Sequence, residues 1–154
     1  MVPEKDMKAL IVYDSVYGNT EKIAKAIGEG LAGDVTVIRA GETGAPKIED
    51  FDLIIVGSPI HGGRPTPAVQ SFIDGAGPAL KGKKAAAFDT RITNWFAKIF
   101  GYAAARIADS LKANGCSLVV EPEGFSVNGR KGPLKEGELE RAASWAKQIM
   151  DGLK

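Results

Sequence analysis

Residues Ser15 to Thr20, read S-V-Y-G-N-T, set two aliphatic hydroxyls, a carboxamide and a glycine directly ahead of a helical stripe formed by Ile23, Ala24, Ile27 and Leu31. The first turn of a helix leaves its N–H groups unpaired and carries a partial positive charge, so a loop that feeds it from a strand is a seat for an anion. Ser15, Thr20 and the amides from Val16 to Thr20 supply donors without any cation. Gly18 permits close approach or a positive φ, and Asn19 or Thr20 can cap the helix. The alternative is an ordinary capped helix start in which Asn19 and Thr20 satisfy only backbone donors.

Other chemistries fail on spacing. G-x-x-x-x-G-K-[ST] is absent and the 15–20 loop has no lysine for the β- and γ-phosphates of a nucleotide. A formal G-x-G-x-x-G at Gly28, Gly30 and Gly33 falls at the end of the first helical pattern instead of between a strand and a helix, and reads as a helix terminator. A phospho-receiver would need an acidic residue closing its third strand, where this chain has V-G-S-P at 56–59. Cys116 is the only cysteine and His61 the only histidine, which excludes an internal disulfide and a Cys/His metal cluster. Cys116 reads as a buried filler.

The elements that must position the loop come from hydrophobic patterning. Short apolar runs at 8–14, 35–40, 52–58, 84–89 and 117–123 predict five strands. The runs Leu10 to Tyr13 and Leu53 to Val56 are apolar on both faces, as parallel strands covered by helices require. Helical periods lie between them: the first stripe, Val69, Phe72 and Ile73, then Ile99 through Leu111, and finally Leu139, Ala142, Ala143, Ala146, Ile149 and Met150. The crossover at 41–51 reads as loop or a single helical turn. Such alternation predicts an α/β doubly wound open sheet with right-handed crossovers. The 154 residues, 44% of them hydrophobic, fit one domain spanning 1–154.

A formal charge of +1 argues against a nucleic-acid partner. The charge is graded along the chain: residues 1–60 hold 6 basic and 10 acidic side chains, and 61–112 hold 8 and 3. The amino-terminal apolar run is too short for a signal peptide or membrane span, so an unanchored, cytoplasmic protein is expected.

The S-V-Y-G-N-T loop after A-L-I-V-Y-D resembles the phosphate loop of the flavodoxin family, [ST]-x-[ST]-G-x-T, with Tyr17 in place of the middle hydroxyl. That variant is similar to the S-x-Y-G-N-T loop of some flavodoxin-like proteins and quinone reductases. I-V-G-S-P-I-H-G-G-R-P-T-P-A-V-Q-S-F-I-D at 55–74 resembles the second flavin loop and the stretch 86–115 the third, and the likeness covers nearly the whole chain. It implies a five-stranded parallel sheet of order 2-1-3-4-5 with helices on both faces, whose strand order reverses between strands 1 and 3; flavodoxin is itself a standard example of ligand binding at such a reversal.

The resemblance implies FMN as cofactor. Ser15, Val16, Tyr17, Gly18, Asn19 and Thr20 would hold its phosphate. Ser58, Pro59, Ile60, His61, Gly62 and Gly63 would meet the isoalloxazine ring, with Gly62 or Gly63 in the peptide that accepts a hydrogen bond from the reduced flavin N5. Asp89, Thr90 and Arg91 would approach the ring edge. The second loop lacks the aromatic usual in the family, leaving Trp95, Phe96 and Tyr102 as stacking candidates. His61 can supply a proton or positive charge near neutral pH, and Arg64 and Arg91 can offset anionic charge. The function expected is a soluble electron carrier between reductase and acceptor proteins, monomeric or weakly dimeric. An NAD(P)H:quinone reductase and a cofactor-free interaction domain of the same fold are the alternatives, and no separate catalytic constellation is expected. Long-chain flavodoxins are usually strongly acidic where this chain is nearly neutral, which leaves the usual partners open.

Overall fold

The computed structural model describes residues 6–42, 47–92 and 102–154. Strand β1 (Lys8–Tyr13) leads into helix α1 (Asn19–Gly30), then β2 (Asp34–Arg39), a 3-10 turn at Ile48–Asp50, β3 (Leu53–Pro59), α2 (Pro67–Ala76), β4 (Lys84–Arg91), α3 (Ala103–Ala113), β5 (Ser117–Leu118), β6 (Glu123–Ser126) and α4 (Glu138–Gly152). The sheet runs β2-β1-β3-β4-β5, with β6 also on β4, and every pairing is parallel. This is the 2-1-3-4-5 order expected from the resemblance.

Why the apolar runs form interior strands is visible in β1. Ala9, Ile11 and Tyr13 face one side of the sheet, where they join Ile23, Ile27, Phe88, Trp145 and Ile149 beneath α1 and α4. Leu10 and Val12 face the other and join Ile54, Val69, Ile73, Ile107 and Leu111 beneath α2 and α3. A strand alternates its side chains with period 2, so burial on both faces demands an unbroken apolar run. The register sets Tyr13 beside Gly57, and Gly57 beside Phe88. A Cβ at Gly57 would overlap the Phe88 ring. That ring packs edge-on against Phe125 and Trp145 at centroid distances of 6.1 and 6.0 Å, tying α4 to the sheet.

The fifth strand departs from expectation: the single run 117–123 is split into β5 and β6. The chain advances five positions from Leu118 to Glu123 while β4 advances three, from Ala85 to Phe88. Val119 still donates its N–H to the Ala85 carbonyl (3.0 Å), but Pro122 has no N–H to offer the ladder, and pairing resumes only at Glu123.

The last helix corrects the stripe read from sequence. Leu139 is exposed, while Trp145 is buried with Ala142, Ala146, Ile149 and Met150. Glu138, one residue earlier, occupies the buried face at the first turn, and Leu139 is rotated about 100° from it. Gly30 lets α1 and α4 approach closely: a Cβ there would lie 2.8 Å from Ala146 Cβ. Helix α3 begins at Ala103, and the part of the expected Ile99–Leu111 helix before Tyr102 lies outside the described residues.

Candidate functional site

The carboxyl ends of β1, β3 and β4 meet at a cavity of about 580 Å³, within the range of small-molecule sites. The β1 loop supplies Ser15, Val16, Tyr17, Asn19 and Thr20; the β3 loop supplies Pro59, Ile60, His61 and Gly62; the β4 end supplies Thr90, Arg91 and Ile92. Val127 and Arg130 close the remaining side.

The β1 loop is built around Gly18, which takes φ 94 and stands at the amino-terminal end of α1 with no side-chain cap. Asn19 and Thr20 are therefore the first helical residues, and the capping role open to them from sequence is not used. Ser15 Oγ accepts the Gly18 N–H at 2.9 Å, and Asp14 accepts the Ser15 N–H at 2.8 Å. The first intrahelical bond is Lys22 N–H to Gly18 O, so the amides of Val16, Tyr17, Asn19 and Thr20 have no intrachain acceptor among the described residues. Each is an unspent donor near the helix's positive end. Thr20 Oγ1 lies 2.7 Å from Thr90 Oγ1, and both residues are buried.

Charged groups brace this loop from behind. Tyr13 O–H donates to Glu21 at 2.6 Å; burial first, and then that carboxylate, push its phenol up to about 12, while the hydrogen bond holds the Glu21 carboxyl below its ordinary range. Arg39 donates to the Ser15 carbonyl and stands 3.5 Å from Asp14.

The β3 loop is a two-residue reverse turn. His61 and Arg64 exchange backbone hydrogen bonds of 2.8 and 3.1 Å around Gly62 (φ 58) and Gly63 (φ 79). Paired positive φ values are what such a tight hairpin needs, and they explain the two adjacent glycines. Ser58 is buried and structural: its hydroxyl donates to Pro59 O at 2.7 Å and accepts the Thr66 N–H at 2.9 Å. Gly63 O accepts from Arg106 Nε at 3.0 Å, which fixes the turn against α3.

At the β4 end the polar groups satisfy one another. Asp89 is fully buried and does not line the cavity. Its carboxylate accepts Arg91 Nε at 2.6 Å and Nη2 at 2.8 Å, and the Ala104 N–H at 2.9 Å, so it caps α3 from a neighbouring strand. Burial pushes its carboxyl above the usual range, partly offset by Arg91 and the Ala104 amide. The Arg91 guanidinium lies over the Tyr102 ring, 3.3 Å from its centroid. Arg91 thus lines the cavity with its charge already committed, and Tyr102 stacks on an arginine. Trp95 and Phe96 lie outside the described residues. Tyr17, exposed at the rim, is an aromatic that the described residues do bring to the cavity. Arg64 lines a separate shallow depression with Arg106.

Ile92, Val127 and Arg130 escaped the sequence reading. Ile92 adjoins the expected Asp89–Arg91 stretch; Val127 precedes, and Arg130 lies within, the turn N-G-R-K-G at 128–132, whose basic character was the available signal. Among the described residues no group of histidine, cysteine and acidic side chains is arranged to hold a metal, and no helix is long and apolar enough to cross a membrane.

The flavodoxin domain model matches residues 10–114, more than half of the chain. The chain belongs to the flavodoxin family. It is 31% identical over 155 residues to an uncharacterized protein of Methanocaldococcus jannaschii, covering 94% of this chain and 99% of that one. It is also 35% identical over 114 residues to an NAD(P)H dehydrogenase (quinone) of Acidovorax ebreus, covering 56% of this chain and 57% of that longer protein. Among solved structures it superposes on a flavodoxin from the domain Archaea with a TM-score of 0.77 at 24% identity, over 96% of this chain and all of that one. In this flavodoxin-family chain, then, the cavity sits at the strand-order reversal where doubly wound folds bind ligands.

Proposed function

We propose that this chain binds FMN in the cavity at the ends of β1, β3 and β4 and carries electrons between a reductase and an acceptor protein, as a monomer or weak homodimer. The observation that carries the reading is the set of unpaired amides at the head of α1, opening beside two hydroxyls into a cavity free of carboxylates among the described residues. Bound FMN would supply the one- and two-electron chemistry. The Ser15 and Thr20 hydroxyls and the amides of Val16, Tyr17, Asn19 and Thr20 would hold the phosphate through dipoles. Peptides of the Ile60–Gly62 turn would offer backbone donors and acceptors to a flat ring, which the bare glycine backbone lets approach. Val16, Tyr17, Ile60 and Ile92 would exclude water from it.

A second reading, turnover of NAD(P)H with a quinone, is favoured by the likeness to the Acidovorax protein, of which this chain spans 57% of the length. The visible spectrum of purified protein after FMN addition and desalting tests the main proposal. A retained flavin spectrum is expected, and a colourless protein overturns it. Reduction of a quinone by NAD(P)H without added reductase selects the second reading over the carrier.

A further inference from the structure

The hairpin from Val127 to Leu134 is closed by an antiparallel bridge, by Asn128 N–H to Pro133 O at 2.9 Å and by Gly132 N–H to Gly129 O at 3.0 Å. Its tip, Arg130 and Lys131, is held against the β1 loop. Asn19 Nδ2 donates to the Lys131 carbonyl at 3.2 Å, and Gly132 sits so near that a Cβ would be 2.7 Å from the Asn19 amide group. That clasp puts Arg130 on the wall of the cavity that Asn19 and Thr20 also line.

Three other charged side chains around this end already have partners. Arg91 is bonded to Asp89, Arg39 stands at Asp14, and Glu21 is shared by Tyr13 and Lys25. Among the described residues the cavity wall contains no carboxylate, and the Arg130 guanidinium has no ion-pair or hydrogen-bond partner. An unengaged planar cation, facing the same cavity as unpaired helix amides, is suited to a phosphate oxyanion.

The structure assigns to Arg130 the role of phosphate counter-charge: it selects the phosphorylated flavin over the same ring without phosphate. The inference rests on the FMN reading above, which by itself needs only uncharged dipoles at the β1 loop. The hairpin tip adds a single full charge, delivered from the far end of the chain.

Fluorescence titration of flavin-free protein with FMN and with riboflavin separates the two claims. Arg130→Gln is expected to weaken FMN about tenfold at low ionic strength while changing riboflavin less than about twofold. Arg130→Lys should recover part of the loss. The wild-type preference for FMN should shrink as salt is raised to about 0.5 M. Lys131→Gln, whose backbone clasp is untouched and whose side chain is off the wall, should behave as wild type. Equal losses for both flavins, or no loss for either, overturn the role of Arg130 and leave FMN binding standing. Wild-type protein that binds neither flavin overturns the cofactor reading and this inference with it.

Discussion

The ends of β1 and β4 lie on opposite sides of β3 and treat their polar groups in opposite ways. At β4 every strong group has an internal partner: Asp89 with Arg91 and the Ala104 amide, Arg91 with Tyr102. The adjoining β6–α4 junction does the same, with Glu138 accepting from the Ser126 amide at 2.6 Å and from Arg141. At β1 four amides are left unspent beside a cavity. Buried or half-buried polar groups that satisfy one another hold a fold together, whereas donors kept in reserve mark a place for something from outside.

Substitutions at the two ends should therefore move different quantities. Asp89→Ala is expected to lower the free energy of unfolding by about 3 kcal/mol, read from urea denaturation, because it strands a half-buried guanidinium and the head of α3. A loss under about 0.5 kcal/mol would break the contrast. Ser15→Ala and Thr20→Ala should each weaken FMN binding by about 1 to 3 kcal/mol in flavin titrations, with stability falling by about 1 kcal/mol at most. Unchanged affinity in both would remove the β1 end from the cofactor site.

Glu138→Gln sharpens the comparison through pH. The Arg141 hydrogen bond holds the Glu138 carboxyl below its ordinary value, so its stabilisation is fully present above the unfolded value of 4.5 and is lost as pH falls through the folded one. The variant should be less stable by about 1 to 2 kcal/mol near neutrality, and the gap should close in unfolding curves taken from about pH 5 down to about pH 3. The smallest effect is expected at Gly62→Ala, about 1 kcal/mol in stability. The added methyl meets open space there, and only the positive φ opposes it. Gly62→Asn should cost less, since asparagine tolerates that region better.

Much of the sheet was legible in the sequence because interior parallel strands must be apolar on both faces, as Leu10–Tyr13 and Leu53–Val56 are. The β1 loop was legible because glycine and hydroxyls before a helical stripe have few other uses. The split of the fifth strand carried a signal in Pro122, which removes a ladder donor, but a run of Val119 and Val120 before it reads as continuous strand. Asp89 was expected just past the fourth strand at the ring edge and lies instead inside β4, buried: its capping of Ala104 spans 15 residues and depends on where α3 is docked. Arg130 reaches the cavity from 110 residues beyond Thr20, and local spacing holds no record of such a meeting. Trp145 and Leu139 show the same limit at short range, since which flank of a helix is covered depends on its neighbour.

The contact between Thr20 and Thr90 has a directional consequence. Each hydroxyl owns one proton, and either oxygen can give or receive in the bond they share. An anion bound at the α1 head, as proposed above, would claim the proton of Thr20. Thr90 would then turn its own proton toward Thr20 and present only lone pairs to the rest of the cleft. Occupancy at one end would thereby be written into the polarity of the other by the rotation of two O–H bonds.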